Sequence, residues 1–489
     1  MFVTAPAGAA NRTWMTELNG PGVGSASWPV GSAGIPGIGS TVACAIGGVG
    51  HFSFVAEQVA TDIVGEAGDL WVTLSGRGPM ALLENAIVAP YADSGSSGRA
   101  ASLQSERAFH WASADSPDHD LGVTWGTPET VAWVDDTTAR SGYPLDWPTV
   151  DPDGAACWIW STDPTLPAPD GAVNWFRYVF GTAGPMRVWF TADDAVDLFL
   201  DGVSLASFGV QDGGDGGWMT MREVDVDPGP GQHVLAAKVT NRGDMGTVDN
   251  PAGFLLMARL MDPEFPDPVD WTVAIASDAT WEVTDTEPTW ELSDIWATLM
   301  AEAAARGAGP LPSVSFTSGK RLSRSWSIGT TLLSVLEDCI ALGCVARTTA
   351  AGVVIVADAP PGGAATLSGV QSMTVTESQI GPTRALVRHD DGMVWEGTGT
   401  RETYVEVGGT DSDDSASTQG GWMLDAAAPR TTVQVGEVAA LGTIPLPGES
   451  VSIVGPGSVT MSGTIIGVSV SETDTGLASY VPEIVLEAT

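Results

Sequence analysis

Glycine and proline punctuate this chain from end to end, and that punctuation limits the fold more than any other feature. With 60 Gly and 32 Pro spread over 489 residues, long helices are disfavoured and short strands joined by turns are favoured. Apolar residues still make up 43% of the chain, and 19 residues are Trp, enough to build packed cores. A chain of this length exceeds what one core organises, so several folding units are expected. The predicted class is mainly β and multidomain.

Four regions follow from the pattern. Residues 1–105 carry β-rich runs at Val42–Ile46, His51–Val59 and Leu70–Leu74. Pro79 then opens a short helix bearing Leu82, Leu83, Ala86 and Ile87, which Pro90 stops. The Ser/Gly-rich stretch Asp93–Ala101 reads as a linker. Residues 106–264 differ in composition, with nine Trp (111, 125, 133, 147, 158, 160, 175, 189 and 218) and many Asp. Alternating runs at Met186–Phe190, Val196–Leu200, His233–Val239 and Gly253–Leu260 predict a β-sandwich with long loops at Gly209–Gly217 and Asn241–Gly253. Residues 265–379 predict an α+β domain. One helix carries Ile295, Leu299 and Ala303, capped by Ser293 or Asp294 and ended by Gly307. A second carries the stripe Leu332, Val335, Leu336, Cys339 and Ile340, ended by Gly343, and a buried strand follows at Val353–Ala357. Residues 380–489 read as all β, most clearly at Val459–Val470.

Charge narrows the function classes. Sixty acidic against 20 basic residues leave a net charge of −40, so the chain repels phosphate backbones and anionic membrane surfaces; no nucleic-acid binding is expected. No run of 18 apolar residues occurs, so no membrane span is expected. The opening MFVTAPAGAANRT lacks the basic and apolar regions of a secretory signal. Cys44, Cys157, Cys339 and Cys344 have no metal-ligand spacing. The five His (51, 110, 119, 233 and 389) form no zinc-hydrolase pair, and no GxSxG elbow is present. Gly20-Pro21-Gly22-Val23-Gly24 lacks the strand-before, helix-after setting of a phosphate loop. Separated carboxylates for glycoside cleavage remain an open alternative.

Several ordered stretches resemble one family. They are Leu18-Asn19-Gly20-Pro21-Gly22-Val23-Gly24-Ser25, then Trp71-Val72-Thr73-Leu74-Ser75-Gly76-Arg77-Gly78 running into Ala81-Leu82-Leu83-Glu84. Next come Leu299 to Gly307, Ile328 to Leu333, Pro447 to Val451 and Gly463 to Val470. Together they are similar to the hub-like minor tail (tail-associated) proteins of actinobacterial siphophages, over most of residues 12–100 and 290–489. The resemblance implies hub-type β-barrels assembled as a homotrimeric ring at the tail tip of a virion. It also implies contacts with the distal tail protein, the tape measure protein and other tail-tip proteins, and no enzymatic role. The middle segment resembles inserted galactose-binding-like or PA14-like jelly rolls, through Trp189-Phe190-Thr191-Ala192-Asp193-Asp194, Leu198 to Gly202, His233-Val234-Leu235 and Asn250 to Gly253. Asp201-Gly202 is a natural hairpin turn whatever the family.

That second resemblance supplies candidate sites. PA14-like lectins use an adjacent Asp pair for Ca2+, which makes Asp193 and Asp194 candidate ligands, with Asp212 and Asp215 nearby; the plainer reading of the same residues is solvated loop acids and turn caps. Trp218, in a Gly-rich loop, is the candidate stacking face for a host cell-wall glycan, beside Asp212, Asp215, Asn241 and Asn250 as hydroxyl partners. The other Trp read as core or interface residues. Two classes stay open: a structural tail-tip hub carrying a carbohydrate-binding module, or a polysaccharide-binding or glycoside-cleaving protein with hub-like β domains.

Overall fold

A computed structural model describes residues 2–4, 10–46, 49–64, 69–89, 106–132, 147, 150–162, 168–182, 184–209, 220–229, 231–242, 252–265, 267–349, 351–360, 364–367, 370, 372–377, 381–390, 392–410, 412–428, 430–436, 445–455, 460–473 and 476–486. The chain is mainly β and divides into two units, one of residues 1–88, 295–320 and 329–489, the other of residues 89–294 and 321–328. The linker read at Asp93–Ala101 lies outside the described residues.

In the first unit the two ends of the chain share one sheet. Its strands run in the order Met373–Glu377, Thr431–Val435, Gly476–Leu486, Thr460–Thr473, Ala10–Glu17, Val23–Pro29, Asp69–Arg77 and Gln58–Val64. The seam joins Ala10–Glu17 to Thr460–Thr473, antiparallel, with Arg12 opposite Glu472 and Glu17 opposite Gly467. Alternation along each strand puts Trp14, Trp28, Phe54 and Leu74 into the same core as Val433, Ile453, Ile465, Val470 and Ile484. Trp14 stacks on Phe52 with ring centroids 4.8 Å apart. The run read as one strand at His51–Val59 is two strands, Val49–Val55 and Gln58–Val64. The helix expected after Pro79 is a 3-10 helix, Pro79–Asn85, with Ala86 already extended.

Three α-helices lie among the described residues of this part of the chain. Helix α1, Leu292–Ala305, begins before either cap considered above; Ile295, Trp296, Leu299 and Ala303 are buried, and Trp296 stacks on Phe316 at 5.4 Å. Helix α2, Leu332–Ala341, is capped by Thr331, whose hydroxyl accepts from the Ser334 N–H, and buries Leu332, Leu333, Val335, Leu336 and Cys339. A three-stranded sheet orders Val314–Thr317, Val354–Ala357 and Val345–Thr348.

Helix α3, Asp413–Ala426, corrects the reading of residues 380–489 as all β. It covers one face of a small sheet ordered Gly392–Gly397, Arg384–His389, Glu402–Glu406, around Ala385, Val387, Val407 and Ala416. No apolar stripe announces α3, because its sequence DDSASTQGGWMLDA is polar for its first half. Its start is specified instead by Ser412, whose side chain accepts from the Ser415 N–H, and by Asp413 and Asp414 in the first turn. Gly420 permits the close approach, since a Cβ there would lie 2.5 Å from Val387 Cγ2.

The second unit is a sandwich. One sheet orders Arg222–Val226, Met186–Asp193, Gly253–Leu260, Cys157–Trp160 and Glu129–Ala132; the other orders Val203–Phe208, Ala195–Leu200, Gly231–Thr240, Val173–Thr182 and Glu282–Thr284. Both sheets fill one core with Phe176, Val188, Phe190, Leu198, Leu235, Phe254 and Leu256. Strands Met186–Asp193 and Gly253–Leu260 are buried on their other face too, where Trp189, Leu255 and Met257 meet Trp147, Trp158 and Trp271. Burial on both faces explains why Gly253–Leu260 reads as a continuous apolar run. Asp201 (φ 52°) and Gly202 (φ 81°) turn Ala195–Leu200 into Val203–Phe208, as their dipeptide requires. This unit extends past residues 106–264, because Glu106–Phe109 pairs with Arg324–Ser327 and Trp290–Glu291 with Arg321–Leu322.

Candidate functional site

The Asp193–Asp194 pair closes the strand Met186–Asp193 where the chain crosses to the other sheet. Asp193 lies opposite Gly253 and is buried; the peptide between the two Asp is cis. The N–H of Asp194 donates to the Thr240 carbonyl at 3.1 Å, and its Oδ2 accepts from the Arg242 N–H at 2.7 Å. The segment 240–242 therefore brackets Asp194 and brings Asn241 to the same corner.

Asn241 is fully buried. Its Nδ2 donates to the carbonyls of Ala168 (3.2 Å) and Pro169 (3.1 Å), and its backbone pairs with Ala172 and Gly171. That corrects its reading as a loop amide facing a sugar: the amide nitrogen braces the turn 168–172. Its Oδ1 is buried and has no hydrogen-bond partner among the described residues, an arrangement that ordinarily carries a cost. Two carboxylates and one amide oxygen are fewer than the six to eight oxygens Ca2+ takes. Among the described residues no group of three or more His, Cys, Asp or Glu is arranged to hold a metal ion. Trp218, Asp212, Asp215 and Asn250 lie outside the described residues.

The remaining Trp of this region pack inward. Trp111, Trp147, Trp158, Trp160, Trp175 and Trp189 are buried, and Trp125 lies under the Arg177 guanidinium at 4.1 Å. Trp133 lies outside the described residues.

Over nearly its whole length the chain is similar to solved tail proteins. The tail protein from Neisseria meningitidis is 11% identical, with 98% of this chain and 92% of that one covered at a TM-score of 0.38. The 43 kDa tail protein of prophage MuSo2 from Shewanella oneidensis is 9% identical, with 98% and 94% covered at 0.37. A third of the chain is similar to a different kind of protein, a lectin from Pleurotus ostreatus in complex with GalNAc, at 15% identity, with 33% of this chain and 41% of that one covered at 0.22. No family model and no curated protein matches the sequence.

Three surfaces of the first unit were not singled out in the sequence. A cleft of about 650 Å3 is lined by Ile340, Cys344, Val405, Leu424, Ile466 and Val485. Asp358 on its wall accepts from Ser318 Oγ (2.6 Å), the Gly319 N–H (2.8 Å) and Lys320 Nζ (3.0 Å). Burial pushes the carboxyl of Asp358 up, but these bonds outweigh it and hold it below the ordinary Asp range. Burial pushes the neighbouring Cys344 thiol up to about 11, so it stays protonated and is a poor nucleophile at neutral pH. The second surface is the uncovered face of the small sheet, with Met393, Trp395 and Tyr404 exposed. The third is a cleft of about 500 Å3 across the large sheet, with Met15 and Val23 on its floor. The signal for the second was present, since GMVWEG and ETYVE place large apolar groups on the side of each strand that α3 does not cover.

Proposed function

We propose that the chain is a structural, non-enzymatic component of a long-tailed phage, a hub-type minor tail protein at the tail tip. The observation that carries this reading is the seam between Ala10–Glu17 and Thr460–Thr473, which makes one sheet of the two ends of the chain while a self-contained sandwich is built from the residues between. A scaffold closed by its own ends tolerates such an excursion, because the excursion enters and leaves without breaking the core. The ordered hub-like motifs lie in the segments that form this scaffold. On this reading three copies form a closed ring in contact with the distal tail and tape measure proteins. Mass spectrometry of gradient-purified virions tests it: peptides from both units at a stoichiometry of a few copies per particle are expected, and absence of the chain from virions overturns it.

A second reading concerns the sandwich and is favoured by the corner at which the Asp193–Asp194 pair closes its strand: Asp194 bonds to Thr240 and Arg242, and Asn241 between them in the chain is buried and keeps an Oδ1 with no partner among the described residues. We infer that this corner takes Ca2+ and presents the sandwich to host cell-wall glycan. Titration calorimetry of the full chain with CaCl2, beside Asp194→Ala, gives a binding heat lost in the variant if the reading holds. No heat in either protein sinks it.

A further inference from the structure

The C-terminal end of α2 brings two cysteines together. Gly343, at φ 88°, turns the chain there, and two hydrogen bonds close the turn. The Gly343 N–H donates to the Ile340 carbonyl at 2.8 Å, and the Cys344 N–H donates to the Cys339 carbonyl at 3.0 Å. These are the two bonds of a Schellman helix end, a motif that sets the side chain after the glycine against the side chain near the end of the helix. In this chain those two positions are Cys344 and Cys339. Direct bonding of one N–H to the other residue's carbonyl keeps the two backbones at about the spacing a disulfide bridges, Cα to Cα roughly 4.4–6.8 Å. Both residues are thiols, and each is 1% exposed.

The two sulfurs differ in their surroundings. Cys339 belongs to the buried stripe of α2, with Leu332, Val335 and Leu336. Cys344 lies on the wall of the cleft of about 650 Å3, where its Sγ donates to Asp358 Oδ1 at 3.7 Å. A small reagent entering the cleft therefore meets Cys344 first. Just beyond it, Ala346 clamps the N-terminal hairpin: its N–H donates to Asn19 Oδ1 at 2.8 Å, and its carbonyl accepts from the Asn19 N–H at 2.6 Å. Whatever fixes the turn 339–344 also fixes the strand Val345–Thr348 that holds Asn19.

We propose that Cys339 and Cys344 are a reversible thiol–disulfide pair, a redox-operated staple between α2 and the strand that follows it. The oxidant is a small organic disulfide such as oxidised glutathione. Cys344, as thiolate, attacks one sulfur of the reagent, forming a mixed disulfide and releasing one glutathione thiolate. Cys339 then attacks the Cys344 sulfur and releases the second, and the two protons of the cysteines pass to the two departing thiolates. Two protein thiols are oxidised and one disulfide is reduced to two thiols, so no other electron acceptor is needed. The new bond turns the Cys344 sulfur away from Asp358, so the reduced and oxidised chains differ at the cleft wall.

The test incubates the full folded chain with oxidised and reduced glutathione at pH 9, where a thiol raised to about 11 supplies roughly one thiolate in a hundred. Remaining thiols are then blocked and the chain is digested with trypsin. Residues 325–347, bounded by Arg324 and Arg347, form one tryptic peptide that holds both cysteines and neither Cys44 nor Cys157. That peptide is expected to be two hydrogens lighter, to carry no glutathione, and to regain both thiols in dithiothreitol. Closing the loop constrains the unfolded chain, so the equilibrium should favour the disulfide at least about tenfold more in the native chain than in urea. Cys339→Ala, with circular dichroism confirming the fold, should stop at a glutathione adduct on Cys344, and Cys344→Ala should leave Cys339 unmodified. An unreacted wild-type peptide, glutathione retained on wild-type Cys344, a disulfide to Cys157 or to a second chain, or a bond that forms in urea and not in the native chain overturns the proposal.

Discussion

Gly420 and Gly421 are neighbours in α3 and should respond oppositely to the same substitution. Replacing Gly by Ala inside a helix gains about 0.5–1 kcal/mol from propensity alone. At Gly421 the nearest atoms to a new Cβ are Glu396 Oε1 at 3.9 Å and Glu396 Cγ at 4.0 Å, ordinary contacts, so Gly421→Ala should keep that gain. At Gly420 the new Cβ would sit 2.5 Å from Val387 Cγ2. Carbon pairs prefer about 3.5–4.0 Å, and Val387 is a fully buried, branched side chain in the core under α3 with little freedom to move. Overpacking of this kind costs about 1–3 kcal/mol, so Gly420→Ala should destabilise by about 0.5–2 kcal/mol, and the two variants should differ by roughly 1–3 kcal/mol. Urea unfolding followed by circular dichroism measures both. Val387→Ala combined with Gly420→Ala should recover more than 1 kcal/mol of coupling, roughly the size contacting residues show. Equal shifts from the two glycines would refute the close approach of α3 to its sheet.

Trp14→Ala should cost about 3 kcal/mol, the loss of a buried aromatic at the seam partly offset because its indole N–H has no acceptor among the described residues; Trp14→Phe, which removes that N–H and keeps a ring, should stay within about 1 kcal/mol in the same unfolding assay. Arg259 is buried and donates to the carbonyls of Val150 (2.9 Å), Val269 (3.0 Å) and Trp271 (2.7 Å); Arg259→Met strands all three and should cost about 3–5 kcal/mol, a figure a shift below 1 kcal/mol would contradict. The Cys344 thiol, raised by burial from 9.0 to about 11, contributes stability that is fully present below pH 9 and is lost as pH rises towards 11. Thiolate absorbance of the native chain should show one group titrating near pH 11, absent in Cys344→Ser.

What the sequence made legible was local. The hairpin turn at Asp201-Gly202, the buried stripe of α2 and the sandwich strands are each written in a few consecutive residues, and they form where those residues imply. Helix α3 was hidden because its contact with the sheet relies on a glycine and small side chains instead of an apolar stripe, although Ser412 and the two Asp after it carry a start signal. The pairing of Arg12 with Glu472 joins residues too far apart in sequence for any periodicity to reveal. At the candidate site the Asp pair was readable, but the role of Asn241 was not, because burial and the carbonyls of Ala168 and Pro169 come from the fold of a distant turn.

The central claim is that this chain is a structural element of a phage tail tip, and a density map of that tip in intact virions tests it most directly. The account predicts both units of the chain in three copies, in one closed layer at the distal end of the tail tube, with the two chain ends side by side in a single sheet. Density for the chain at any other site on the particle, or a layer with a different number of copies, would contradict it.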